Sequence, residues 1–162
     1  MKFKMSWAWF VVAVSFGLNG CNYDVPLTAR PTRLIENKLL GDWASVDKTE
    51  GKEELMHVRK LDDSVYVIAM DNDLYRAFHS DFADTTFLSV QDLNSVDRKY
   101  LYFVWRLSPD GSVVSLKGIS TKVVPDTIKT AAELRRLIKR NLGDPKLFGD
   151  EIQFTRKNSA GD

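Results

Sequence analysis

From Trp43 to about Lys122, hydrophobic and polar positions alternate with a period of two. Leu55, His57 and Arg59 alternate with Met56, Val58 and Lys60; Val65, Val67 and Ala69 with Tyr66, Ile68 and Met70; Tyr100, Tyr102 and Val104 with Leu101, Phe103 and Trp105. Short runs of this kind, rich in Val, Ile, Tyr, Phe and Trp, predict strands, because side chains on a pleated ribbon point to opposite faces in turn. Turn-forming residues separate the runs at Asp62-Asp63-Ser64, Asp71-Asn72-Asp73, Ala83-Asp84, Asn94 to Asp97 and Ser108-Pro109-Asp110-Gly111. Connections this short join antiparallel neighbours, since a parallel crossover needs about a dozen residues or more.

The period changes once. Pro125 with Asp126 or Thr127 are cap candidates, Ile128, Ala131, Leu134, Ile138 and Leu142 fall at helical spacing, and Gly143 and Pro145 follow. They predict an amphipathic helix from about Asp126 to Leu142. Asp150 to Lys157 returns to period two. Seven predicted strands precede the helix and one follows it. A meander of this length with aromatic residues on both faces is expected to curl and close, because closure removes exposed edges. The expected fold is therefore mostly β: an eight-stranded antiparallel meander or barrel with one C-terminal helix before the last strand. Thr32 to Leu40 is expected to add one or two helical turns ahead of Gly41.

Met1 to Gly20 is compositionally foreign to this pattern. It carries Lys2 and Lys4, an apolar run from Trp7 to Leu18, and no acid. A basic start followed by a dozen apolar residues predicts a secretory signal peptide, too short to cross a hydrocarbon core of about 30 Å as a helix. The run ends in Leu18-Asn19-Gly20-Cys21, which resembles the lipobox of bacterial lipoproteins: an aliphatic residue, then a small residue immediately before Cys. The resemblance implies cleavage between Gly20 and Cys21, with acyl chains such as palmitate attached at Cys21. It also implies a Gram-negative envelope protein held by lipid. Asn22, in place of the Asp that retains such proteins at the inner membrane, implies the periplasmic face of the outer membrane. Two or three acyl chains, at about 0.8 kcal/mol per buried CH₂, make the anchor effectively permanent.

These boundaries divide the chain into a signal peptide (1–20), an acylated Cys and tether (21–31), one β-barrel domain (32–158) and a flexible tail (159–162). Residues 22–31 contain Pro26 and Pro31 and no helical period. They read as a tether, with a reach of about 30 Å when extended.

Composition narrows the function classes. The chain has 162 residues, 44% hydrophobic and 28% charged, which suits a single globular domain. One Cys excludes an intrachain disulfide. The formal charge of +1 becomes −1 once Lys2 and Lys4 are removed, so bulk electrostatics offers no reason to expect nucleic acid as a partner.

Gly41-Asp42-Trp43 resembles the Gly-X-Trp that opens the first strand of the lipocalin-like, or calycin, superfamily. The late helix followed by one last strand is similar to that superfamily's closing element. The resemblance implies that Arg156 packs over Trp43 at the closed end of the barrel, a cation–π contact worth about 0.5–2 kcal/mol. The stretch Ser89-Val90-Gln91-Asp92-Leu93-Asn94 also resembles small Gram-negative lipoproteins, a likeness that implies a cell-envelope location and names no activity.

Candidate chemistry is sparse. His57 and His79 fall on the second and fourth predicted strands, and His79 cannot combine with its neighbours Ser80 and Asp81 because adjacent strand residues face opposite ways. His79 is expected on a half-exposed strand. No metal-ligand spacing, phosphate loop or catalytic residue is assigned, and neither an enzyme nor a cofactor is expected. Arg76, Ser80, Ser89 and Gln91 are the polar residues expected to point into a barrel. Phe78, Phe82, Phe87, Phe103 and Trp105 are expected to fill its interior or line a pocket.

The predicted helix gathers Lys129, Arg135, Arg136, Lys139 and Arg140 on one flank beside Glu133. This is either a surface for anionic lipid or a polyanionic partner, or a solvated face with cations placed by the helix dipole. The expected partners are thus a membrane through the N-terminal lipid, and either a small apolar or amphipathic ligand or another envelope protein. Two roles remain open. One is a ligand-binding barrel; the other is an interaction or structural lipoprotein, such as a hydrolase inhibitor or assembly factor. Interior volume separates them, since small-molecule pockets need about 300 Å³ or more.

Overall fold

A computed structural model describes residues 22–46 and 51–157. Gly20, Cys21 and the tail lie outside the described residues. Eight antiparallel strands form a closed barrel in sequence order: β1 (Gly41–Val46), β2 (Glu53–Lys60), β3 (Val65–Met70), β4 (Asp73–Phe82), β5 (Thr85–Asp92), β6 (Tyr100–Leu107), β7 (Val113–Ile119) and β8 (Phe148–Arg156). The helix α1 (Ala131–Asn141) lies between β7 and β8. The expected eight-stranded antiparallel barrel, mostly β with one helix before the last strand, is the observed fold.

Each strand pairing carries one apolar set inward. Met56 opposes Met70 and Val58 opposes Ile68 across β2 and β3. Leu88 opposes Phe103 and Val90 opposes Leu101 across β5 and β6. Leu116 opposes Ile152 and Val114 opposes Phe154 across β7 and β8. The seam between β1 and β8 is short, pairing Trp43 with Arg156 and Ala44 with Thr155. β7 bulges between Lys117 and Ile119, and there Gly118 makes room for a ring. A Cβ on Gly118 would sit 3.3 Å from Cε1 of Phe103.

A second core lies outside the barrel. Phe87 and Tyr102 point outward from β5 and β6, and they are covered by Leu134 and Ile138 of α1 together with Tyr23 and Leu27. This explains why consecutive residues are buried in β4 (Ala77 to Ser80), β5 (Phe87 to Val90) and β6 (Leu101 to Phe103). Strands covered on both faces lose the buried–exposed alternation.

Three local expectations are corrected. The helix begins at Ala131, not near Asp126: Thr130 is its N-cap, and its side chain accepts the Glu133 N–H. Thr130 and Glu133 have the spacing of a capping box, which outcompetes the Pro125-Asp126 signal. The helical turns before Gly41 reduce to one 3-10 turn, Asn37–Leu39.

The third correction concerns residues 22–31, which are packed against the barrel as a strap rather than held off as a tether. Tyr23 and Leu27 are fully buried. Tyr23 forms a two-way antiparallel bridge with Tyr100, each N–H donating to the other's carbonyl at 2.8 Å. The Tyr23 hydroxyl donates to the Val124 carbonyl at 2.7 Å, and the Tyr102 hydroxyl donates to that of Val25. Asp24 pairs with Lys129 and Lys99, and Thr32 N–H donates to the His79 carbonyl at 2.9 Å. The packed unit therefore begins at Tyr23, not at Thr32. Backbone groups that Pro-containing linkers leave to water here find protein partners.

Candidate functional site

The barrel lumen is mainly apolar, lined by residues including Leu39, Trp43, Met56, Ile68, Tyr75 and Trp105. Its free volume is about 40 Å³. That admits a few water molecules at most, each needing about 10–15 Å³ measured this way.

One end is closed by an interlocked cap. Trp43 is 1% exposed, and its indole Nε1 donates to the Leu39 carbonyl at 3.0 Å. The Arg156 guanidinium lies over the indole with Cζ 4.2 Å from the ring centroid. The same guanidinium donates to the carbonyls of Gly111 (3.0 Å), Leu40 (2.9 Å) and Lys38. Gly41 belongs to this cap for a steric reason. Its φ is +134°, and a Cβ would stand 2.6 Å from Nη1 of Arg156. The Gly41, Trp43 and Arg156 arrangement implied by the lipocalin resemblance is thus present in space.

Just inside the cap lies a polar pair, His79 and Tyr66. His79 is 2% exposed and faces the lumen, because it shares the inward face of β4 with Tyr75 and Ala77 and pairs with Leu88. Its Nε2 lies 2.8 Å from the Tyr66 hydroxyl. Tyr66 oxygen already accepts the Glu36 N–H, so its own proton is free to go to Nε2. A Tyr66 hydroxyl donating in this way pairs with the neutral imidazole that carries its hydrogen on Nδ1. Nδ1 has no partner among the described residues, and the ring packs against Trp105 with centroids 5.6 Å apart. Burial lowers the His79 pKa, with the nearby Arg33 adding to the effect, while Asp81 and Glu36 oppose it. Burial pushes the Tyr66 phenol up to about 12. The expectation of a half-exposed His79 is corrected: both faces of β4 are covered here, the inner by the lumen and the outer by the strap.

Stability should follow this histidine's titration. Its folded pKa lies below the ordinary 6.5, so as pH falls below 6.5 the unfolded chain takes up a proton that the folded chain refuses. The stability present above pH 6.5 is then lost progressively toward the folded pKa. Denaturant melts of the wild type and His79→Phe between pH 7.5 and pH 5 should show a steeper decline in the wild type. Equal slopes would remove His79 as the cause, and the exposed His57 is common to both proteins.

The other polar candidates do not line the lumen. Arg76 and Gln91 oppose each other on the outer face, opposite in parity to Tyr75, Ala77 and Asp92. Ser80 and Ser89 also face outward, yet both are fully buried beneath the strap, in a hydroxyl chain from Thr28 to Ser80 (2.7 Å) to Ser89 (2.7 Å). Of the five aromatics, Phe103 and Trp105 face the lumen, whereas Phe82 and Phe87 belong to the outer core. Phe78 lies on the outer face and is buried.

The cations near the helix divide into two groups. Lys129 is engaged by Asp24, and Arg135 donates to the Leu27 carbonyl at 3.2 Å, so both hold the strap. Arg136, Lys139 and Arg140 are exposed on the outer face of α1, where the nearest ion pair is Arg136 to Glu133 at 4.0 Å. Among the described residues no three His, Cys, Asp or Glu side chains converge as metal ligands, and no helix is long and apolar enough to cross a membrane. Compared with protein-family models, curated proteins and solved structures, the chain matches none of them.

Proposed function

We propose that this chain is a lipid-anchored envelope protein whose filled barrel is a rigid scaffold for docking another envelope component. The observation that carries the choice is the lumen volume of about 40 Å³. A small-molecule pocket needs about 300–1,000 Å³, so a carrier would have to move several ring side chains to load. The cap of Trp43 and Arg156 works against such movement at that end. The anchor rests on the resemblance of Leu18 to Cys21 to a lipobox, and the outer-membrane location on Asn22 after Cys21. No residue is assigned a catalytic role.

Carriage of a small amphipathic ligand is a second reading, supported by the mainly apolar lining and by the polar Tyr66–His79 pair near the capped end. Native mass spectrometry of the full chain, produced in a Gram-negative host and released in mild detergent, separates the two. The scaffold predicts the acylated polypeptide with no stoichiometric adduct, together with one envelope protein that crosslinks reproducibly and saturably. A one-to-one small-molecule adduct that survives purification would replace it with the carrier.

A further inference from the structure

We infer that the barrel lies flush against a bilayer containing anionic phospholipid, with the outer face of α1 and the loop between β5 and β6 as its contact surface. This rests on the proposed acylation of Cys21. Asn22 alone separates Cys21 from Tyr23, which is fully buried and bridged to Tyr100. Two residues of extended chain reach about 7 Å, so the lipid attachment point cannot stray from the barrel wall. A free tether of ten residues would have left orientation open; the docked strap does not.

The surface around that point suits a charged interface. Asp24 joins Lys99, at the end of the β5–β6 loop, to Lys129, just before α1, so the loop, strap and helix adjoin one another. The loop carries Val96, which is 99% exposed, followed by the exposed Asp97 and Arg98. A fully exposed branched apolar side chain fits the boundary between headgroups and acyl chains, and the cations that favour an anionic surface come from α1 rather than from this loop. On α1 the exposed residues Ala132, Arg136, Lys139 and Arg140 recur at helical spacing, forming a stripe in which Lys139 and Arg140 have no carboxylate partner among the described residues. Basic residues at a negatively charged membrane surface are drawn toward its headgroups. Glu133, exposed on α1 and 4.0 Å from Arg136, and Asp144, which caps the following 3-10 turn, are the acids nearest this stripe, so its net positive charge comes from Lys139 and Arg140.

The test uses the full chain with Val96→Cys, Ala132→Cys or Leu61→Cys, each spin-labelled after reconstitution into vesicles of phosphatidylcholine with phosphatidylglycerol. Leu61, exposed in the loop between β2 and β3 at the opposite end of the barrel, is the aqueous reference. Labels at 96 and 132 should be relaxed more by oxygen and less by an aqueous nickel chelate than the label at 61. The protection at 132 should fall when Arg136, Lys139 and Arg140 are all changed to Gln, or when the vesicles are phosphatidylcholine alone. Intact mass reports the anchor separately. An unacylated Cys21 overturns the anchoring reading itself. An acylated Cys21 with either label as aqueous as position 61 overturns the flush orientation alone.

Discussion

Tyr23→Ala, made in the full acylated chain, should lower stability by about 3–5 kcal/mol, the range for truncating a large buried aromatic residue. In a free tether the same change would cost nothing measurable. Tyr23 is fully buried, its ring lies 5.3 Å from that of Tyr102, and its hydroxyl satisfies the Val124 carbonyl. Losing the ring uncovers Tyr102, Phe87 and the outer wall of β6. The milder Tyr23→Phe should cost about 1–3 kcal/mol, because it keeps the ring and orphans one buried carbonyl. An upper bound applies to both: the strap can detach while the barrel stays closed, so the loss cannot exceed the free energy with which the strap docks. Denaturant melts give the global figure, and hydrogen exchange at the Tyr100 amide, which donates to the Tyr23 carbonyl, reports detachment directly. Unchanged exchange at Tyr100 in Tyr23→Ala would show that the strap contributes nothing.

The strap was the element least legible in the sequence, for a physical reason. Pro26 and Pro31 suppress a helix or a long strand, and segments so marked usually run in solvent. The signal that was present is the alternation of Tyr23, Val25 and Leu27, three apolar residues at period two among polar ones. All three pack into the outer core. The segment is too short to stand out as a strand, and only one backbone bridge forms. The same hidden layer misled the reading of β4 and β5. With only one core in view, the outward Ser80 and Ser89 looked like residues for a barrel interior, and Phe82 and Phe87 like its filling. By contrast, the eight strands were legible throughout, because inward alternation persists wherever the outer face is wet, as in Glu53 to Lys60. His79 could have been placed from parity alone, since Tyr75, Ala77 and His79 share a face. What parity could not supply was its partner, as Tyr66 comes from another strand. The cap of Gly41, Trp43 and Arg156 was legible through its family resemblance, and nothing local to Arg156 would have joined it to a tryptophan over a hundred residues away.

Trp43→Ala should also cost about 3–5 kcal/mol, and it tests how the closed end is held. The indole fills the lumen beside Leu39 and Met56, satisfies the Leu39 carbonyl, and floors the Arg156 guanidinium. Truncation removes all three at once and enlarges the lumen, so the variant should bind small apolar probes that the wild type excludes. The three contributions separate in a double-mutant cycle with Arg156→Met, which keeps an apolar stem and loses the charge and the three carbonyl bonds. If the cation–π contact is material, Trp43→Ala and Arg156→Met should fall short of additivity by about 0.5–2 kcal/mol. Full additivity would assign the role of Arg156 to the carbonyls of Lys38, Leu40 and Gly111 instead. Those bonds tie the 3-10 turn, the entry to β1 and the β6–β7 turn to the end of β8. Gly41→Ala supplies the third variant, because its added methyl would strike Nη1 of Arg156 at a backbone φ of +134° that itself disfavours any side chain. A loss smaller than that of Arg156→Met would show that the guanidinium can be displaced without opening the barrel.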